Sequence, residues 1–152
     1  MKDKLKNYLE KNKESVINLV SRLIEIPTVN PPGENYENMV CFLEKECRKL
    51  GLSTKKHVTP RDVLDKFGIK GGSRRISLVA DLNAGTNKTF HVNSHYDVVP
   101  VTDKWKTGPF KAAIKGNKIY GRGSEDMKGN IASVLFALKA LKDCGIKPKI
   151  NI

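Results

Sequence analysis

"HVNSHYDVVP", residues 91–100, sets His95 two residues before Asp97, after an apolar run and just ahead of a Val-Val-Pro stop. The chain has three histidines, and two of them stand in this stretch. On a strand, residues i and i+2 share a face with Cα atoms about 6.6 Å apart, so a carboxylate at 97 can sit behind an imidazole at 95. It can then accept a hydrogen bond from one ring nitrogen while the other binds a metal ion. The plainer alternative is a strand-end histidine tied to a carboxylate for structure alone. His91 lies within the strand and is expected to pack, and His57 stands in a Lys-rich segment with no motif around it.

Working outward, "LSTKKHV" (52–58), "ISLVA" (76–80) and "KTFHVNS" (88–94) read as short strands separated by turn signals, "GGSR" (71–74) and "NAGTN" (83–87). "FKAAIKGNKIYG" (110–121) reads as a hairpin turning at Gly116-Asn117. Helical spacing flanks this β-rich centre. One helix is expected from Asp3 to Ile26, with Leu5, Leu9, Val16, Leu19, Val20, Leu23 and Ile24 near one face, and Pro27 stops it. A second carries Tyr36, Met39, Val40, Leu43, Cys47 and Leu50 and ends at Gly51. A third runs from about Asp126 to Cys144 with Ile131, Val134, Leu135, Leu138 and Leu141 in a stripe. Helices around a run of strands predict an α/β layer architecture. The last residues, "KINI" (149–152), start an alternating strand, which reads as a sheet that expects more chain.

The second chemical signal is "GRGSEDMKGN" (121–130). Its glycines do not fit a phosphate-binding loop. A dinucleotide fingerprint starting at Gly121 would need glycine at 126, where Asp126 stands, and Lys128 precedes Gly129 in the wrong order for a Walker A motif. What remains is a Gly-rich loop bringing Glu125 and Asp126 to a helix start. The helix dipole favours negative charge there, so an N-terminal cap is the plainer reading of Asp126. A histidine leaving one strand and an aspartate leaving another would converge where α/β sheets place their sites. Histidine with carboxylate suits Zn²⁺ or a similar divalent ion.

Composition narrows the classes. There are 28 Lys and Arg against 16 Asp and Glu, a net charge of +12, but the lysines are spread along the chain without an arginine run or interleaved aromatics. That predicts a solvated basic surface and no nucleic-acid partner. No apolar stretch approaches the roughly 20 residues of a membrane span, and the N-terminus has no apolar core of a secretory signal, so neither a membrane partner nor export is expected. Cys41, Cys47 and Cys144 show no CxxC spacing; they are expected to be buried and reduced, in a cytoplasmic protein.

At these residues the sequence resembles the M20 family of metallopeptidases and aminoacylases, which includes acetylornithine deacetylase, succinyl-diaminopimelate desuccinylase and carboxypeptidase G2-like enzymes. "SHYDVVP" (94–100) resembles its His-x-Asp-x-Val-Pro motif. "WKTGPF" (105–110) resembles the Trp and Pro-Phe that follow, and "YGRGSEDMKGN" (120–130) its Gly-Arg-Gly-x-x-Asp-Met-Lys-Gly motif. "LIEIPTVNPPGENY" (23–36) is similar to the family's N-terminal helix-and-loop signature. Asn130 departs from a usual second glycine.

The resemblance implies a three-layer, zinc-peptidase-like catalytic domain with a central mixed sheet flanked by helices. Residues 1–152 would form its N-terminal part, truncated at the C-terminus, with the lid and dimerisation domain absent. It implies His95 as ligand of one metal ion, Asp126 as the carboxylate bridging two, Asp97 as the catalytic-site carboxylate orienting His95, and a cis Asp126–Met127 peptide. The cofactor it implies is Zn²⁺, two per full site, with Co²⁺ as the other option. The substrate it implies is a small N-acyl amino acid or short peptide, hydrolysed at an amide. The family's Glu-Glu pair and later ligands would follow residue 152, so the expectation is a chain inactive alone, associating with itself or a complementing chain. The alternatives are a non-catalytic remnant or binding module, and, ranked last, a basic nucleic-acid binder.

Overall fold

The long N-terminal helical pattern resolves into two helices, α1 (Lys2–Lys11) and α2 (Lys13–Ile24), which break at Asn12. The expected single helix fails there because the Lys-rich first half has nothing to bury. No residue of α1 is buried, Leu5 and Leu9 included, whereas α2 buries Val20, Leu23 and Ile24. The computed structural model describes residues 1–71, 74–102 and 104–152. The middle of the expected "GGSR" turn therefore lies outside the described residues.

α3 (Tyr36–Lys49) buries Tyr36, Met39, Val40, Leu43 and Cys47, a stripe at 3.6-residue spacing. β1 (Ser53–Val58) follows, then the short α4 (Arg61–Lys66) and β2 (Ile76–Asp81), which pairs antiparallel with β1. β3 (Ala113–Lys115) and β4 (Lys118–Tyr120) form the expected hairpin, and its turn is allowed by Gly116 at φ +56°. α5 (Lys128–Asp143) buries Ile131, Ala132, Leu135, Phe136 and Ala140. Side chains of α2, α3 and α5 share one core with Leu52, and Leu78, Ala80 and Leu82 pack onto it from the sheet side.

The sheet is of mixed sense. Beyond the antiparallel β1–β2 ladder, Leu82 exchanges backbone hydrogen bonds with Ile152, and Asn151 pairs in parallel with Thr89. The strand expected over 88–94 is realised only at Thr89, because no neighbouring ladder accompanies it further among the described residues. His91 consequently does not pack as expected but lies exposed. Of the cysteines, Cys47 and Cys144 are buried as expected; Cys41 is exposed, on the side of α3 away from the core stripe. No helix among the described residues is long and apolar enough to cross a membrane.

Candidate metal centre

Two loops and one short parallel contact build the site. Val98 N–H donates to the Thr28 carbonyl, Asn30 N–H donates to the Val98 carbonyl, and the buried Thr28 hydroxyl donates to the Tyr96 carbonyl. These bonds fix residues 95–98 against the Pro-rich loop after α2. On the far side, the Gly-rich loop is locked by close approach. At Gly129 an added Cβ would lie 2.3 Å from the Ser124 carbonyl oxygen, and at Gly121 it would lie 2.6 Å from Ile24 Cγ2. The glycines that look like a phosphate loop are there because backbone and side chains need that space. Fully buried Lys128 reaches back from the first turn of α5 to donate from Nζ to the Ile26 carbonyl at 2.6 Å. Burial pulls its ammonium pKa down to about 8.

This frame brings His95, Asp97 and Asp126 together. His95 Nε2 lies 2.9 Å from Asp126 Oδ1. On the other side of the ring, Nδ1 lies 3.2 Å from Asp97 Oδ1 and 3.1 Å from the Asp97 carbonyl oxygen. Asp97 is itself held through Oδ2, which accepts from Asn30 Nδ2 at 3.0 Å, and Asn30 Oδ1 in turn accepts from Arg75. The backbone N–H of His95 donates to Met127 Sδ, and the Asp126–Met127 peptide is cis. Burial works against the charged imidazole. The hydrogen bonds to Asp126 and the Asp97 carbonyl, with the charges of both carboxylates, outweigh it and raise the His95 pKa.

Asp126 does not cap α5. The N-cap position is Met127, without a side-chain cap bond, and the Asp126 side chain is 85% exposed and turned to His95. His57 stands on β1, away from this group, and His91 is not among its partners. Sequence reasoning missed Asn30, Arg75 and Met127 as supports. Asn30 sat in a stretch read as a Pro-rich loop of the helix-and-loop signature without a role for that residue, and nothing local marks Arg75 as its neighbour.

The donor chemistry suits a borderline divalent cation: one imidazole nitrogen and one carboxylate oxygen, 2.9 Å apart. Their separation is within a few tenths of an ångström of the roughly 3.3 Å between two tetrahedral zinc ligands. Among the described residues no group of three or more His, Cys, Asp or Glu side chains could hold a metal ion.

Residues 91–152 match the family described as Peptidase family M20/M25/M40. An uncharacterized metallohydrolase of Methanocaldococcus jannaschii is 36% identical over 146 residues, covering 91% of this chain and 35% of the relative. The N-formyl-4-amino-5-aminomethyl-2-methylpyrimidine deformylase of Halalkalibacterium halodurans is 32% identical over 141 residues, covering 91% of this chain and 31% of that protein. In fold, human carnosine dipeptidase 1 superposes with a TM-score of 0.80 at 18% identity, over 100% of this chain and 33% of that one. The chain spans about a third of the length of the curated relatives it matches.

Proposed function

We propose that this chain, whose residues 91–152 match peptidase family M20/M25/M40, contributes a divalent-metal half-site to a metal-dependent hydrolase acting on amide bonds. The observation that carries this reading is the 2.9 Å contact between His95 Nε2 and Asp126 Oδ1, backed by Asp97 at Nδ1. His95 and Asp126 hold the cation, with Zn²⁺ as the ion and Co²⁺ as its substitute. When bound, such an ion polarises an amide carbonyl and lowers the pKa of water.

The chain's own residues set up that chemistry. With a cation in place of the proton at Nε2, Asp97 would accept a hydrogen bond from Nδ1–H, which holds the imidazole as the Nδ1-protonated tautomer and strengthens Nε2 as a ligand. Asn30 and Arg75 keep Asp97 from rotating away. Asp126, with no second partner side chain at its carboxylate among the hydrogen bonds of the described residues, keeps an oxygen available for a second ion. The substrate class is an N-acyl amino acid or short peptide. The competing reading is a binding module without catalysis, favoured by the absence of a third metal-ligating side chain among the described residues.

Calorimetric titration of the chain with Zn²⁺ tests the half-site. Binding that is lost in both His95→Ala and Asp126→Ala supports it. Binding indifferent to both variants would leave the chain a structural fragment of the fold.

A further inference from the structure

The three cysteines differ in what surrounds them. Cys47 and Cys144 are buried, and burial pushes the Cys47 thiol up to about 11, where it stays protonated and inert near neutral pH. Cys41 is exposed, and it does not stand alone. Lys56 Nζ lies 3.6 Å from Cys41 Sγ and 2.7 Å from Glu44 Oε2. A thiol, an amine and a carboxylate therefore meet on the seam between α3 and β1.

Sequence spacing puts them there. Cys41 and Glu44 are three residues apart on α3, so they are neighbours on one side of the helix. On the sheet, Lys56 of β1 stands directly opposite Leu78 of β2. Directly opposed residues share a face, and Leu78 packs onto the helical core, so Lys56 is turned to the helices and Lys55 away from them. Glu44 is fixed from its own helix, where Oε1 accepts from Arg48 Nη2 at 2.8 Å. Two different elements thus hold the amine between a carboxylate and a sulfur. The long Lys56 stem can bring Nζ onto Sγ without moving either backbone.

We propose that Cys41 and Lys56 form a redox modification site, in which a hydroperoxide oxidises the thiol and Lys56 Nζ closes a covalent bond to Sγ. In the first step the Cys41 thiol and hydrogen peroxide give the sulfenic acid and one water. In the second, Lys56 passes one ammonium proton to Glu44, and the neutral amine attacks Sγ. The S–OH bond breaks, and its hydroxide leaves as water with a second proton from the amine. Sulfur has given up two electrons and the peroxide has taken them. The product is a sulfenamide, a condensation that sulfenic acids undergo with nearby nitrogen. Two equivalents of a thiol reductant return the thiol and the amine and leave as a disulfide. The bond joins α3 to β1 across the seam. It does not depend on the metal reading.

The test treats the whole chain with hydrogen peroxide in EDTA, then alkylates it and digests it with trypsin without reductant. The Glu44 hydrogen bond holds the Lys56 pKa above its ordinary value, so the reaction is run at mildly alkaline pH to supply the free amine. The expected product joins peptide 23–45, which holds Cys41, to peptide 56–61, because a linked Lys56 is no longer cut. Its mass is that of the two peptides less two hydrogens, and dithiothreitol separates them. Lys56→Arg keeps the positive charge beside Glu44 without the nucleophilic amine. That variant and Cys41→Ser should both lose the link completely, and Lys56→Arg should instead accumulate a dimedone-trapped sulfenic acid at Cys41. Stepwise oxidation of Cys41 to sulfinic and sulfonic acids with no linked peptide would overturn the proposal. So would a link that survives in Lys56→Arg, or a disulfide from Cys41. A linked pair carrying one extra oxygen would overturn the direct S–N step and put an N–O–S bridge in its place.

Discussion

The helical core and the metal centre of this chain are held together in opposite ways. In the core, Leu23, Ile24, Met39 and Val40 are fully buried on regular helices, and their contribution is apolar area removed from water. In the centre, His95 and Asp126 are exposed to solvent, and their position is set by backbone hydrogen bonds, tight glycines and one buried lysine beneath them. The difference teaches that stability and site geometry can be perturbed almost independently. The core should respond to lost volume, and the centre to lost hydrogen bonds.

The largest break is expected in the core. Leu23→Ala removes a side chain with no solvent exposure and should cost about 2–5 kcal/mol, read as a lower urea midpoint. If the separation holds, whatever fraction remains folded keeps the zinc affinity of the parent. Next comes Lys128→Met, which keeps the aliphatic volume but leaves the Ile26 carbonyl without its donor. A loss of about 1–3 kcal/mol is expected by the same measurement. That variant sharpens the comparison, because Lys128 belongs to the support of the centre yet is wholly buried.

Asp97→Asn acts the other way. It removes the charge behind His95 Nδ1 while nearly preserving shape, so Zn²⁺ affinity should fall about 10–100-fold in calorimetry, with the urea midpoint little changed. The smallest effect concerns the aromatic pair between the two regions, Tyr36 and Tyr96, which pack edge to face with centroids 5.0 Å apart. Burial first, and for both rings the Asp97 charge as well, pushes each phenol up to about 12. A folded pKa raised above the ordinary 10 means stability is intact below pH 10 and is lost as pH rises from 10 towards 12. By pH 10.5 the loss should be under about 1 kcal/mol per ring, seen as a falling urea midpoint. Tyr36→Phe should flatten part of that decline.

How much of this was legible in the sequence follows the same division. The buried stripe of α3 from Tyr36 to Cys47 follows from period alone, as does the hairpin at Gly116-Asn117, because local side-chain spacing and turn chemistry determine them. The break at Asn12 was not legible, since α1 has the right period but too little apolar surface to bury. Nor was the isolated Thr89 pairing, because a strand's partners lie elsewhere in the chain. At the centre, the i, i+2 spacing of His95 and Asp97 announced their contact. The meeting of His95 with Asp126, across 31 residues of sequence, followed from no local rule; it rested on where α/β sheets bring strand ends together and on the resemblance of two motifs. Asn30 and Arg75 had no signal, because a supporting hydrogen bond leaves no period in the sequence.

The central claim is that His95 offers Nε2 to a cation while Asp97 keeps the proton on Nδ1. Two-bond ¹⁵N–¹H correlation spectra of the imidazoles during a Zn²⁺ titration test this most directly. The account predicts that His95 alone shifts, with Nε2 moving to a metal-bound value and Nδ1 staying protonated, while His57 and His91 remain unchanged. A His95 ring that does not respond, or that binds through Nδ1, would contradict it.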